Sequence, residues 1–415
     1  MESILLSNIA AIIVKDVLID DDKSKDNPKK YPIDDFPLLS SDSEDEAFQF
    51  FLNQRRRKTE GFKNFPEVKN HIYGDVGNSI SSLQDATKRQ NPVEINLINK
   101  FDTNIFEGYL HMRKITFLRI FKRLRHYLPD EHAPSTATPQ SMFSLALWKL
   151  STDEHFQDIG RKFNITKEIC QKMIRFFWRR ISTQYESLIQ WPSTPEKQAY
   201  TLQSFQAHQQ LKKFHLLFGV LATKQLAVFL ENENEERQVI LQIICDADQK
   251  VIDCFLALTS DYSFDASPIG KTLSLNVQTL PVGSYLIGDE TFPLKPYLMR
   301  PIGAPSDGRA QAFNDALQSA VIFAQQVLDT MAKRFNALYA VEARNLHEVR
   351  KIVDTICVVH NLCVEMEDDY LERKMQDKQF SWAKMKDNAT NKQVGDETDK
   401  EGRSKRDALI AAIIP

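Results

Sequence analysis

The segment Ser284-Tyr285-Leu286-Ile287-Gly288-Asp289-Glu290-Thr291-Phe292-Pro293-Leu294-Lys295-Pro296-Tyr297-Leu298-Met299 begins as an apolar, β-forming run and ends that run on Gly288-Asp289. Two X-Pro steps, at Pro293 and Pro296, then favour extended backbone. An apolar strand that delivers an aspartate at its C-terminal end is how many α/β enzymes present a metal-binding carboxylate. The plainer reading is a strand that stops in a turn.

Upstream, residues 215–221, 225–230, 238–245 and 251–258 are apolar runs separated by short polar turns such as Asp246-Ala247-Asp248. That pattern predicts an antiparallel meander. A polar stretch from Thr259, with a short helix near Asp265, leads to the Gly-Asp strand. Downstream, Phe313, Leu317, Ala320, Ala324, Val327, Leu328, Met331 and Phe335 recur at helical spacing across residues 311–337. Residues 346–366 are apolar round most of a helical circumference, which predicts a buried central helix. Cys357, His360 and Cys363 share one face of it. Without a fourth ligand or paired knuckles, core packing is the better account than zinc.

Before the strands the texture is helical. Phe106, Tyr109, Leu110, Ile115, Phe117, Leu118, Phe121, Leu124 and Leu128 follow helical spacing, and Arg113, Lys114, Arg119, Lys122, Arg123 and Arg125 fill the other face. Residues 142–150 and 155–163, the turn Asn164-Ile165-Thr166 and a third helix from Lys167 to about residue 181 follow. Thr152 is a candidate cap for the second of these. Two short helices, a polar turn and a basic third helix have the form of a helix-turn-helix unit; a solvated helical bundle is the alternative. Lys167, Lys172, Arg175, Arg179 and Arg180 are its candidate phosphate contacts. Residues 190–214 read as a connector.

The chain has 415 residues, 42% of them hydrophobic, and a formal net charge of −3, so any nucleic-acid partner must be met by a local basic patch. No apolar stretch reaches membrane-spanning length. The five cysteines suit a reducing compartment with free buried thiols. Residues 1–100 contain the acidic serine cluster Ser40-Ser41-Asp42-Ser43-Glu44-Asp45-Glu46, which cannot bury a core. They also hold the basic block Arg55, Arg56, Arg57 and Lys58, a candidate nuclear localisation signal or a solvated helix face. Residues 367–415 form a charged tail with a short amphipathic helix at its end.

The order of helical unit, meander, Gly-Asp strand and long helices resembles the PIF/Harbinger transposases and their domesticated, nuclease-like descendants. Residues 288–301 carry the most specific likeness, close to Gly-Asp-x-x-Tyr-Pro-Leu-x-Pro-Trp-Leu-x-x-Pro. Residues 244–248 and 262–266, Phe313-Asn314, Val359-His360-Asn361-Leu362-Cys363 and residues 402–409 add shorter ones. The resemblance covers residues 101–364 and implies an α/β, RNase H-like DDE core, a mixed sheet flanked by helices, spanning residues 191–366. A helix-turn-helix-like domain at residues 101–190 would precede it.

Such a core holds two Mg2+ or Mn2+ ions on three carboxylates. Carried over residue by residue, the first position falls on Ala222, the second on Asp289 and the third on Gln325. One of three ligands remains, and Lys224 adds positive charge nearby. A shift of one helical turn would bring Asp329 to the third position. The expectation is therefore a catalytically inactive, domesticated protein that needs no cofactor and leaves Asp289 at most a weak residual cation site. The resemblance further implies a nuclear, DNA- or chromatin-associated protein working beside a Myb/SANT- or MADF-type DNA-binding partner, with homo-oligomer formation open. Two alternatives stand: a metal-dependent DNA endonuclease in which Glu290, Asp246 or Asp265 replaces a lost ligand, and a pure protein-protein adaptor.

Overall fold

The computed structural model describes residues 95–128, 137–152, 154–275, 279–376 and 398–414. The acidic serine cluster and Arg55, Arg56, Arg57 and Lys58 lie outside them. The first helices are Leu97–Lys100 (α1), Thr103–Leu110 (α2) and Lys114–Leu124 (α3), the last running into a 3-10 turn at Arg125–Tyr127. The periodicity across residues 106–128 does not make one helix. His111 takes left-handed backbone (φ 51°) between α2 and α3. Arg334 fixes the break, its Nη1 donating to the His111 carbonyl at 2.6 Å.

Pro139–Ser151 (α4), Phe156–Phe163 (α5) and Lys167–Ser182 (α6) follow. Thr138 and Thr166 cap α4 and α6, each accepting a backbone N–H. Thr152 does not cap α5. It closes α4 instead, its hydroxyl donating to the Trp148 carbonyl at 2.8 Å. After Tyr185–Leu188 (α7), the expected connector contains a helix, Pro195–Ala207 (α8). Its start is marked by the Thr194 cap and a proline at the first position.

The strands are Leu217–Leu230 (β1), Glu235–Cys245 (β2) and Val251–Leu258 (β3). Then come Pro268–Leu275 (α9), Tyr285–Ile287 (β4), Leu298–Met299 (β5), Gly308–Arg334 (α10) and Ala340–Ala343 (β6). Leu346–Glu365 (α11), Tyr370–Gln376 (α12) and Lys400–Ile413 (α13) complete the chain. The runs at 215–221 and 225–230 are one strand. β2 pairs with it without interruption from Val220 to Leu230, so main-chain bonds carry the polar Thr223 and Lys224 through.

The sheet order is β3-β2-β1-β4-β5, with β6 also on β1. β1, β2 and β3 form the antiparallel meander. β4 and β6 both run parallel to β1, β4 against its beginning and β6 against its end. Since β2 occupies one edge of β1, β4 and β6 share the other, and the middle of β1 is open between them. Helices lie on the sheet. α10 packs on β1, and α6 packs on both α4 and α11. Ala222, Val220 and Ile287 belong to the larger core cluster, with Val327 and Ile356 from α10 and α11. Leu221, Ile244 and Phe292 belong to the smaller cluster on the opposite face. Residues 91–415 form one compact unit.

Candidate functional site

β4 and β1 run in parallel with Val220 opposite Ile287. Two residues further along each chain are Ala222, still within β1, and Asp289, beyond the end of β4 at Ile287. Both are buried, at 5% and 8% exposure. The local sequence accounts for the exit of Asp289. Gly288 donates its N–H to the Met299 carbonyl at 3.0 Å, the last bond holding this edge to β5. The chain then turns, and the Asp289 carbonyl accepts the Phe292 N–H at 3.3 Å. Asp289 Oδ1 accepts the Thr291 N–H at 2.9 Å and the Thr291 hydroxyl. Phe292 folds back on the strand end, where a Cβ on Gly288 would stand 2.5 Å from its ring. Only glycine permits that approach.

Around Asp289 stand groups that the sequence does not bring together. Burial and the neighbouring Asp289 carboxylate push the Tyr262 phenol up. Tyr262 donates to Gln242 Oε1 at 2.9 Å. Gln242 is fully enclosed, and its Nε2 has no hydrogen-bond partner among the described residues. Tyr262 and Gln242 come from separate segments, and no short motif announces either. Lys224 directs its Nζ at the Tyr339 ring, 5.3 Å from the centroid.

These residues do not fit a two-metal centre. Ala222 has no side-chain oxygen. Gln325 is exposed on α10, and its Nε2 donates to Asp329 Oδ1 at 3.1 Å, so the residue one turn on is engaged with it. Glu290 and Asp265 are exposed. Asp246 caps the β2–β3 turn, accepting the N–H groups of Asp248 (3.0 Å) and Lys250 (2.9 Å). Burial raises its carboxyl to about 6. Among the described residues no three His, Cys, Asp or Glu side chains are placed to share a metal ion.

The Val359-His360-Asn361 motif acts on that same turn. Asn361 accepts the Val251 N–H and donates to the Val251 carbonyl, both at 2.8 Å. His360 Nε2 donates to the Gln249 carbonyl at 2.9 Å. Burial holds His360 down at about 4. The histidine is a clasp between α11 and the hairpin, which leaves Cys357 and Cys363 as buried thiols.

Of the basic residues on α6, Lys167, Lys172 and Arg179 face solvent. Arg175 is engaged internally. It bonds Glu231 with Nη2 at 2.9 and 3.0 Å and pairs with Glu348 at 3.0 Å. Arg180 donates to the Tyr127 carbonyl at 3.2 Å.

The antiparallel meander, the parallel β4 that delivers Asp289 beside β1, and the long helix α10 packed on β1 define an RNase H-like domain of the DDE superfamily. Residues 222–361 match the family described as DDE superfamily endonuclease. The chain is 24% identical over 301 residues to a protein of Arabidopsis thaliana described as ALP1-like, which covers 65% of this chain and 73% of that one. These likenesses support a PIF/Harbinger-derived protein of the DDE superfamily, with the DDE domain matched at residues 222–361. No solved structure matches it. No described helix is long and apolar enough to cross a membrane.

Proposed function

We propose that the chain is a domesticated transposase derivative that has kept the DDE fold and lost the nuclease. On this reading it acts in the nucleus as a DNA- or chromatin-associated interaction protein, beside a DNA-binding partner of the Myb/SANT or MADF type. The loss of chemistry is supported by the residue types at the three positions the resemblance assigns, Ala222, Asp289 and Gln325, of which one is a carboxylate, and by the lack among the described residues of three His, Cys, Asp or Glu side chains placed to share a metal ion. Hard divalent cations need several anionic oxygens, and a single carboxylate cannot hold two ions in register. The motifs around the site survive because they pack: Gly288 under Phe292, and Asn361 on Val251. The outward Lys167, Lys172 and Arg179 support a phosphate-contacting role for the helical region. Arg55, Arg56, Arg57 and Lys58 are the proposed localisation signal.

Incubation of the purified chain with supercoiled plasmid and Mg2+ or Mn2+ tests the loss of chemistry. Nicking no greater than that of Asp289→Ala is expected. Metal-dependent nicking that disappears in Asp289→Ala would establish the endonuclease reading instead.

A further inference from the structure

We propose that the principal nucleic-acid contact of this chain is the solvent face of α3 and the 3-10 turn that follows it, formed by Arg119, Lys122, Arg123 and Arg125, which meets the sugar-phosphate backbone of duplex DNA. This rests on the DNA-association reading above and gives it a location.

The charge distribution makes the first argument. From Gly108 to Leu128 the chain has six Lys or Arg residues and no acid, in a protein whose net charge is −3. Acids resume at Asp130, outside the described residues. Arg113 and Lys114 are used internally. Arg113 reaches Asp369 at 3.2 Å, and Lys114 donates to the Phe101 carbonyl at 2.7 Å. Arg119, Lys122, Arg123 and Arg125 are all exposed, and none has an ion-pair partner among the described residues. Arg161, Arg237 and Arg373, also exposed, are paired with Asp158, Glu235 and Asp369, while Arg179 and Arg309 are exposed without an ion pair among the described residues. The contrast with α6 is direct: there Lys167 and Lys172 share their helix with the exposed Glu168, and Arg175 is neutralised by Glu231 and Glu348.

Presentation makes the second argument. Phe117, Ile120 and Leu124 are fully buried, so the inner face of α3 is clamped to the core and its outer face is held as a convex basic ridge. Arg180 ties the 3-10 turn to α6 through the Tyr127 carbonyl. A helix is about 10–12 Å across, which suits a major groove about 12 Å wide lined by phosphates. Arginine forks match phosphate oxygens. The ridge carries charge and no pattern of amide side chains, so it fits backbone contact without base reading.

Fluorescence anisotropy with a labelled 30-bp duplex, over a salt series, tests the assignment on the full chain. The quadruple variant Arg119→Gln, Lys122→Gln, Arg123→Gln, Arg125→Gln is expected to lose about tenfold or more in affinity, with the slope of log K against log salt falling by about 3. The triple variant Lys167→Gln, Lys172→Gln, Arg179→Gln is expected to lose less. Unchanged DNA affinity in the quadruple variant, whether or not it loses binding to a polyglutamate peptide, overturns the assignment and leaves DNA association standing. A triple variant that loses more than the quadruple also overturns it. A wild-type chain that fails to bind duplex at low salt overturns both readings. Should the quadruple variant not fold, hydrogen exchange on the wild-type chain decides: added duplex is expected to protect residues 117–127 more than residues 168–182, and the reverse order refutes the ridge.

Discussion

Val220 and Ile287 pair on neighbouring parallel strands, and two residues past that pair come Ala222, still within β1, and Asp289, beyond the end of β4. A methyl group and a carboxylate thus stand at two of the positions that the family resemblance assigns to metal ligands. Ala222→Asp is expected to lower stability by about 1–3 kcal/mol in metal-free buffer, since Ala222 is buried and a carboxylate there must leave water. Mn2+ should recover part of that loss in the variant and give no shift in the parent. Thermal melts with and without Mn2+ measure this, and identical metal responses of the two proteins would refute a shared cation site at these two positions.

Arg334 is 3% exposed and binds Asp368 at 2.8 Å, joining the end of α10 to the segment after α11. It also holds the His111 turn between α2 and α3. Arg334→Ala leaves the Asp368 carboxylate buried with only the neighbouring Arg113 for compensation. A loss of about 3–5 kcal/mol in urea denaturation is expected. Arg334→Met should be milder if it is accompanied by Asp368→Leu, and equal damage from the single and paired changes would argue against this account.

Asn361 makes two hydrogen bonds to Val251. Asn361→Ala strips a donor and an acceptor from the start of β3 and should cost about 2–3 kcal/mol. Hydrogen exchange should accelerate locally at residues 246–252. Unaltered exchange there would mean that the turn holds without the clasp.

Gly402 brings α13 against the segment between β4 and β5. A Cβ there would meet Lys295 Cα at 3.2 Å and Leu294 Cγ at 3.0 Å. Gly402→Ala is therefore expected to loosen α13, at about 1–2 kcal/mol of overpacking. Lys405 donates to the Gly283 carbonyl at 2.5 Å. Limited proteolysis should release the C-terminal segment faster in the variant, and an unchanged cleavage rate would count against docking through this contact.

The pH dependence combines opposing groups. His360 titrates at about 4 in the folded chain against an ordinary 6.5, held down by burial and then by the Arg334 charge. The unfolded chain takes that proton first, so its contribution to stability is lost as pH falls from 6.5 towards 4, by about 3 kcal/mol in full. Burial raises Asp253 to about 6, with Arg350 opposing, and its Oδ2 has no hydrogen-bond partner among the described residues. Here the folded chain takes the proton first, so stability is gained as pH falls through 6. Asp253→Asn should raise stability by about 1–3 kcal/mol at pH 8 and steepen the loss on acidification from 6 to 4. Parallel stability curves for variant and parent would sink this balance.

Much of the architecture was legible. The meander, the Gly-Asp strand and the two long helices follow from alternation and helical spacing, because strands and helices bury one face at a fixed period. Illegible were the break at His111, the short β6 and the helix α8. His111 takes its turn from Arg334, more than two hundred residues away. β6 has only four residues, and its pairing with β1 defines it. The α8 signal, Thr194-Pro195, was present but lay in a stretch read as linker. Arg175 counted as a surface cation until Glu231 and Glu348 arrived from distant segments.

The sequence by itself carries the likeness to the DDE superfamily and the residue types Ala222, Asp289 and Gln325 at the positions that likeness assigns. Gly288, Asp289 and Phe292 pack through neighbours close in sequence, and an alanine has no side-chain oxygen wherever it is placed. Tertiary structure alone decided which charges are free. An ion pair depends on side chains brought together across the fold, and the same residue type is a contact on α3 and an internal strut on α6.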